Sequence, residues 1–308
     1  MKHSDSAPAL SISSLHKSYG DFSVIEELSL QVQTGAIHGL VGLNGSGKTT
    51  TLECLLGLQR FNSGEIELLG YRPEQIYLSQ GRIVAIFDTP SLNPNLTVRQ
   101  CLLHARLLCA NPARGCEEVE ALLGIEQFSA FKIKNLSLGN KRRASIAQAL
   151  LGNPELVILD EPFNGLDAGG VDEVLKLIKQ LNRDQGTTFL LSSHQLPYLE
   201  QICTHIAILH QGQIQLNDSK ENLLKESSTR VSIRTNHAKE ARELLASHEG
   251  IEILPADSPD QLQVSLQQGD SATINAMLVN AGIPVAELIP HRASLDSLFR
   301  HATRERSE

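Results

Sequence analysis

Eight consecutive residues offer the clearest chemistry in the chain: Gly42, Leu43, Asn44, Gly45, Ser46, Gly47, Lys48 and Thr49, with Thr50 following. They match G-x-x-x-x-G-K-[ST], a pattern in which glycines let backbone N–H groups converge on a phosphate without side-chain obstruction. Lys48 supplies positive charge to the β- and γ-phosphates, and Thr49 offers a hydroxyl to Mg²⁺. The pattern needs a strand before it and a helix after it, because the positive N-terminal end of the helix completes the cradle. Ile37–Val41 is an apolar run of strand length, and the residues through Leu58 read as an apolar helix, so the context is met.

A second source of chemistry lies farther along. Leu156–Leu159 is a continuous apolar run, as expected of a strand buried on both faces, and it delivers Asp160 and Glu161 at its carboxyl end. Ligand chemistry in open α/β sheets happens at that edge. Asp160 is placed to hold Mg²⁺ through water, and Glu161 to orient and polarise an attacking water.

The elements that must carry these residues alternate. Residues 10–41 show strand periodicity (Leu10, Ile12, Leu28, Leu30, Val32), and 64–70 and 82–87 read as further strands. From Leu92 to about Lys134 the pattern is helical, with Val98, Leu102, Ala105 and Leu108 on one face. Helix 170–182, strand Thr187–Leu191, helix 195–202 and strand 205–210 follow, an α/β sheet. Asn217–Ser228 reads as a polar helical connector. Residues 230–291 then run strand, helix, strand, strand, helix, strand, with strands at Arg230–Arg234, Ile251–Leu254, Gln261–Leu266 and Pro284–Ile289. Helices are expected at Ala238–Ala246 and Asp270–Asn280, and a last one at Ser294–His301. That order suggests a small ferredoxin-like α+β domain. The expected division is a nucleotide-binding domain over 1–222, with a helical subdomain at about 89–150, and an accessory or dimerisation domain over 223–308.

Upstream of the acidic pair stands Asn135-Leu136-Ser137-Leu138-Gly139-Asn140-Lys141-Arg142-Arg143. With it the chain resembles an ATP-binding subunit of the ABC transporter family, of the drug- and peptide-exporter type, over roughly residues 8–222. The family signature is L-S-G-G-Q followed by basic residues; here Leu138 replaces the first glycine and Asn140 the glutamine. The resemblance implies a P-loop NTPase core of ABC type. It implies that Ser137 and Gly139 contact the γ-phosphate bound to an opposite subunit, and that Asp167, in Asn164-Gly165-Leu166-Asp167, couples the two sites. It further implies that His194 reports the γ-phosphate and that Tyr19 stacks on adenine. Asp88 falls where the family ends a strand in Gln or Glu, and an anion there can ligate Mg²⁺.

ATP and Mg²⁺ are therefore the expected cofactors, with Lys48, Asp88, Glu161 and His194 as the catalytic set and Thr49, Asp88 and Asp160 around the metal. The resemblance implies a head-to-tail homodimer, with a heterodimer left open, hydrolysing ATP to drive export through a separate transmembrane permease. The alternative is a soluble ATP-driven mechanical or regulatory protein without transport. The net charge of −8 argues against a nucleic-acid partner. The basic cluster Lys132, Lys134, Lys141, Arg142 and Arg143 reads as a solvated face. The five cysteines include no C-x-x-C pair and read as reduced thiols. The start has no apolar core of a secretory signal, and no run of about 18 apolar residues occurs. The expected location is cytoplasmic, peripheral to the inner face of the plasma membrane through the permease.

Overall fold

The computed structural model describes residues 7–89, 91–226, 230–248, 250–255, 261–266, 271–291 and 295–304. The chain divides into two compact units, residues 1–220 and 221–308. Pro90, Ser228, Asp270 and Ser294, which enter the expectations above, and the first six residues lie outside the described residues.

Unit one opens with β1 (Leu10–Tyr19), β2 (Phe22–Val32), β3 (Ile37–Val41), α1 (Lys48–Leu55), β4 (Ser63–Leu68) and β5 (Ile83–Ile86). Helices α2 (Val98–Leu108), α3 (Cys116–Leu122) and α4 (Leu138–Ala149) follow. The chain then alternates through β6 (Leu156–Asp160), α5 (Ala168–Gln185), β7 (Thr188–Ser193), α6 (Leu196–Ile202) and β8 (His205–His210) to β9 (Gln213–Ser219).

Two sheets result. β1 lies between β2 and β4 in an antiparallel sheet, and the larger sheet runs β5-β6-β7-β3-β8-β9. In the larger sheet the first five strands are parallel, and β9 closes the edge antiparallel to β8. The central strands β3, β6 and β7 are buried along their whole length, and none shows the alternation of a half-exposed strand, although only β6 carries an unbroken apolar run, Leu156–Leu159. Leu40, Leu52, Leu55, Leu156, Ile158 and Leu190 share one core with Leu10, Ile12, Leu28 and Leu30 of the smaller sheet. The burial of these side chains holds the loops at the carboxyl edge of the sheet in place.

Two sequence expectations change in this unit. The stretch from Asn217 is not all helical connector: Gln213–Ser219 is strand β9, and α7 (Lys220–Glu226) begins only after it. On α2, Val98 and Leu102 are buried, while Ala105 and Leu108 line an open groove. Within the basic cluster, Lys132 and Lys134 are exposed, whereas Arg142 is only 1% exposed and Arg143 is paired with Glu173 at 2.7 Å. The solvated-face reading fails for both arginines, because α4 turns that side toward β5 and α5.

Unit two contains α7, β10 (Arg230–Arg234), α8 (Ala238–Ala246), β11 (Ile251–Leu254), β12 (Gln261–Leu266), α9 (Ser271–Asn280), β13 (Glu287–His291) and α10 (Leu295–Arg304). Its sheet is wholly antiparallel in the order β11-β12-β10-β13, the ferredoxin-like arrangement that the element order implied. Val231, Ile233, Leu262 and Val264 alternate onto one face and pack with Ala241, Leu245, Ile274 and Leu278. The strand expected at Pro284–Ile289 is shifted to Glu287–His291, and the last helix runs to Arg304.

Candidate nucleotide-binding site

The loop between β3 and α1 is shaped by close approach. A Cβ on Gly42 would stand 2.7 Å from the carbonyl oxygen of Leu209 and 2.3 Å from Ser46 Oγ, so no side chain fits there. Gly47 has a φ of 105°, which an L-residue rarely adopts, and its amide precedes Lys48 at the start of α1. The Gly47 carbonyl accepts from Thr51 N and Thr51 Oγ1, both at 2.8 Å, which fixes the loop to the helix. Ser46 Oγ is buried and finds no hydrogen-bond partner among the described residues.

Lys48 is buried, and its ammonium donates to the carbonyls of Gly42 (2.8 Å) and Leu43 (3.3 Å) while standing 3.4 Å from Glu161 Oε1. The acids come from β6. Thr49 Oγ1 donates to Asp160 Oδ2 at 3.0 Å, and Ser192 Oγ of β7 donates to Asp160 Oδ1. Glu161 has a φ of 47°, in the left-handed region, and its N–H donates to Ser192 O at 3.0 Å. One oxygen of its side chain accepts from Ser193 Oγ at 3.1 Å, and the other meets His194 Nδ1 at 2.9 Å. Glu161 is thus the hub between the phosphate loop and the strand end carrying His194.

These groups share a cleft of about 380 Å³, lined by Asn44, Gly45, Gly47, Lys48, Thr49, Thr50, Asp88, Asp160, Glu161, Asn164 and His194, with Val24. The fit to a nucleoside triphosphate is direct: a glycine-rich loop, a helix N-terminus and a buried ammonium converge on one space. The hydroxyl of Thr49 and the carboxylate of Asp160 are hard oxygen donors suited to Mg²⁺. Among the described residues no group of three or more His, Cys, Asp or Glu could hold a metal alone.

Other expected residues lie elsewhere. Ser137, Gly139 and Asp167 do not line this cleft. Ser137 caps α4, accepting from Asn140 N at 3.2 Å, and Asp167 caps α5, accepting from Gly170 N at 2.9 Å. The two segments touch: a Cβ on Gly139 would lie 3.4 Å from Gly165 O, and Leu138 occupies the space over Gly165. Leu138 is itself 52% exposed. Tyr19, also outside the cleft lining, ends β1 half-exposed, with the Lys17 ammonium 4.3 Å from its ring centroid.

Sequence reasoning missed the orienting roles of Ser192 and Ser193, although both precede His194 on a strand adjacent to β6. It also missed a network behind Asp88. Asp88 Oδ1 accepts from Arg142 Nη2 at 2.7 Å and from Asn164 Nδ2 at 3.1 Å, and Asn164 Oδ1 accepts from Gln195 Nε2 at 2.9 Å.

Known proteins carry the same arrangement. The ABC transporter family model matches residues 25–164. Over 289 residues the chain is 33% identical to the bacitracin transport ATP-binding protein BcrA of Bacillus licheniformis, covering 92% of this chain and 94% of that one. The chain belongs to the ABC transporter ATP-binding family. A second BcrA, from Enterococcus faecalis, is 34% identical over 76% of each chain. Among solved structures, an ATP-binding subunit of an ABC transporter is 28% identical with a TM-score of 0.65, covering 71% of this chain and 92% of that one. The dimeric ABC transporter cassette MJ0796, at 22% identity and a TM-score of 0.63, shares the fold over 68% of this chain and 98% of its own. As an ABC cassette this chain binds ATP and is an ATPase. Among the described residues no helix is long and apolar enough to cross a membrane.

Proposed function

We propose that this ATPase works as a head-to-tail homodimer whose ATP-driven closing and opening powers export through a separate membrane permease, at the cytoplasmic face of the plasma membrane. The observation that carries the dimer is the division of the family motifs within one chain. Lys48, Glu161 and His194 converge on one cleft, while Ser137, Gly139 and Asp167 form a second group away from it. A cleft that lacks its own signature residues is complete only when a second copy supplies them. Both halves are present here, which favours two identical subunits over a heterodimer.

Within the cleft, Lys48 exchanges its carbonyl and carboxylate contacts for the β- and γ-phosphates. Glu161, held by Ser193 and His194, accepts a hydrogen bond from the attacking water. Thr49 and Asp160 would hold Mg²⁺, with Asp88 lining the same cleft. When bound, the ion neutralises charge developing on the phosphates. His194 moves from Glu161 toward the γ-phosphate, Ser137 and Gly139 meet the nucleotide of the partner copy, and Tyr19 stacks on adenine.

Export is supported by the bacitracin transport relatives and by an open groove of about 430 Å³. Tyr77, Phe87, Thr89, Leu108 and Gln148 are among its lining residues, and this is where the permease would dock. Residues 223–308 would act as an accessory or dimerisation domain.

Glu161→Gln tests the chemistry. The amide keeps the shape but loses the base, so hydrolysis should fall by about 10²–10⁴-fold while an ATP-bound dimer accumulates on gel filtration. Hydrolysis at the parental rate would remove Glu161 from the mechanism. Purification from detergent-solubilised membranes should recover a permease; recovery of only soluble partners would sink the transport reading.

A further inference from the structure

The cleft poses an electrostatic problem. Among its lining residues are three carboxylates (Asp88, Asp160 and Glu161) and one ammonium, that of Lys48. A nucleoside triphosphate brings several more negative charges into the same space. Asp160 is satisfied by Thr49 and Ser192, and Glu161 by Lys48, Ser193 and His194. On the cleft side Asp88 meets only the neutral amide of Asn164, at 3.1 Å. Its charge is met from behind the wall, by Arg142.

Arg142 lies in α4, five residues after Ser137, and is among the largest fully buried side chains of the described residues. Its guanidinium is aimed at one place. Nη1 donates to the Phe87 carbonyl at 2.6 Å and Nη2 to Asp88 Oδ1 at 2.7 Å, while Nε is buried without a partner among the described residues. Burial lowers its pKa, opposed mainly by Asp88 and then by Asp160 and Glu161, so all three cleft acids feel its charge. A guanidinium placed only to fill space would not need a fork closed on Phe87 and Asp88, and burying it unpaired would be strongly unfavourable.

We propose that Arg142 is a positioning residue of the nucleotide site: it neutralises Asp88 and pins it to α4, so that an acid in this position is compatible with binding the phosphates of ATP. The inference rests on the reading of the cleft as the nucleotide site. It goes beyond that reading by assigning the basic part of α4 to the cleft of its own chain. One ion pair then ties the helix capped by Ser137 to the wall of that cleft, so a displacement of Asp88 reaches the helix start.

The test is equilibrium binding of ATP to the full chain in EDTA, so that metal ligation by Asp88 does not enter. Parallel steady-state kinetics in Mg²⁺ and thermal melts of the nucleotide-free protein accompany it. Arg142→Gln leaves Asp88 without a cationic partner, only the Asn164 amide remaining, and should weaken metal-free ATP binding about tenfold, the scale of removing one unit charge near a site of effective dielectric about 20. In Mg²⁺ the loss should fall on KM more than on kcat. Asp88→Asn should tighten metal-free ATP binding about threefold or more, the sign opposite to the loss of a helpful ligand. The double variant should return to within about threefold of the parent, and Arg142→Lys, which keeps the charge, should rescue most of the affinity.

An Arg142→Gln variant with lowered melting temperature but parental ATP affinity would reduce Arg142 to packing. A double variant no better than Arg142→Gln would break the link to Asp88. If Arg142→Gln does not fold, Asp88→Asn alone decides: unchanged or weaker metal-free binding overturns the proposal. An unmodified chain that binds no ATP overturns the reading of the cleft, and this inference with it.

Discussion

His38 sits on β3, 2% exposed, in the middle of the parallel sheet that carries the phosphate loop. Its ring stacks on His205 of β8 with centroids 5.7 Å apart, Asn217 of β9 hydrogen-bonds to it, and its Nε2 has no partner among the described residues. Burial, then the neighbouring His205, push its pKa from 6.5 down to about 3. The sign follows directly. Below pH 6.5 the unfolded chain takes up a proton that the folded chain refuses, so stability falls with falling pH until about pH 3. Each pH unit within that window costs about 1.4 kcal/mol, so moving from pH 8 to pH 5 should remove about 2 kcal/mol. For a unit of this size that lowers the melting temperature by about 4–8 °C. Other groups titrate over the same range, so the comparison is with His38→Leu, which also removes the orphaned ring nitrogen. Calorimetric melts of both proteins at several pH values should give a shallower acid limb for the variant, with the gap near 2 kcal/mol at pH 5. Parallel profiles between pH 5 and pH 8 would refute the reasoning, because the refused proton would then not be that of His38.

Ser137 combines a cap with its proposed contact in trans, and two substitutions separate them. Ser137→Ala should cost about 1 kcal/mol in the melt of the nucleotide-free chain and also weaken the ATP-bound dimer. Ser137→Asn keeps a cap and should show only the second effect, read by gel filtration with ATP. Gly47→Ala forces a side chain into a φ of 105° and to 3.1 Å from the Val24 carbonyl. It should lower ATP affinity at least about tenfold in a direct binding titration, and a parental Kd would show that the loop is not held by this contact.

Much of this was written plainly in the chain. The run Leu156–Leu159 followed by Asp160 and Glu161, and the glycine loop between an apolar strand and a helix, locate the cleft because burial on both faces leaves no polar interruption. What escaped did so for identifiable reasons. Strand β9 is an edge strand of mostly half-buried residues; Gln213-Ile214-Gln215-Leu216-Asn217 alternates, but with only two apolar residues before the polar stretch from Asn217 the signal is short. Arg142 was counted as one of a run of basic residues, because composition does not say which face of a helix a charge occupies. Its spacing of four from buried Ile146 was the available signal.

Glu161 holds its backbone at a φ of 47°, in a region where any L-residue with a longer side chain is held at a cost of about 1–2 kcal/mol. Glycine would relieve that cost, and asparagine part of it. A library of this ATPase screened for heat resistance alone should therefore drift toward glycine or asparagine at position 161, and every winner would be a dead enzyme. A screen for turnover should return glutamate and accept the lower melting temperature. Anyone selecting a sturdier form of this protein has to hold position 161 fixed, since at that one residue the most stable sequence and the working sequence are different molecules.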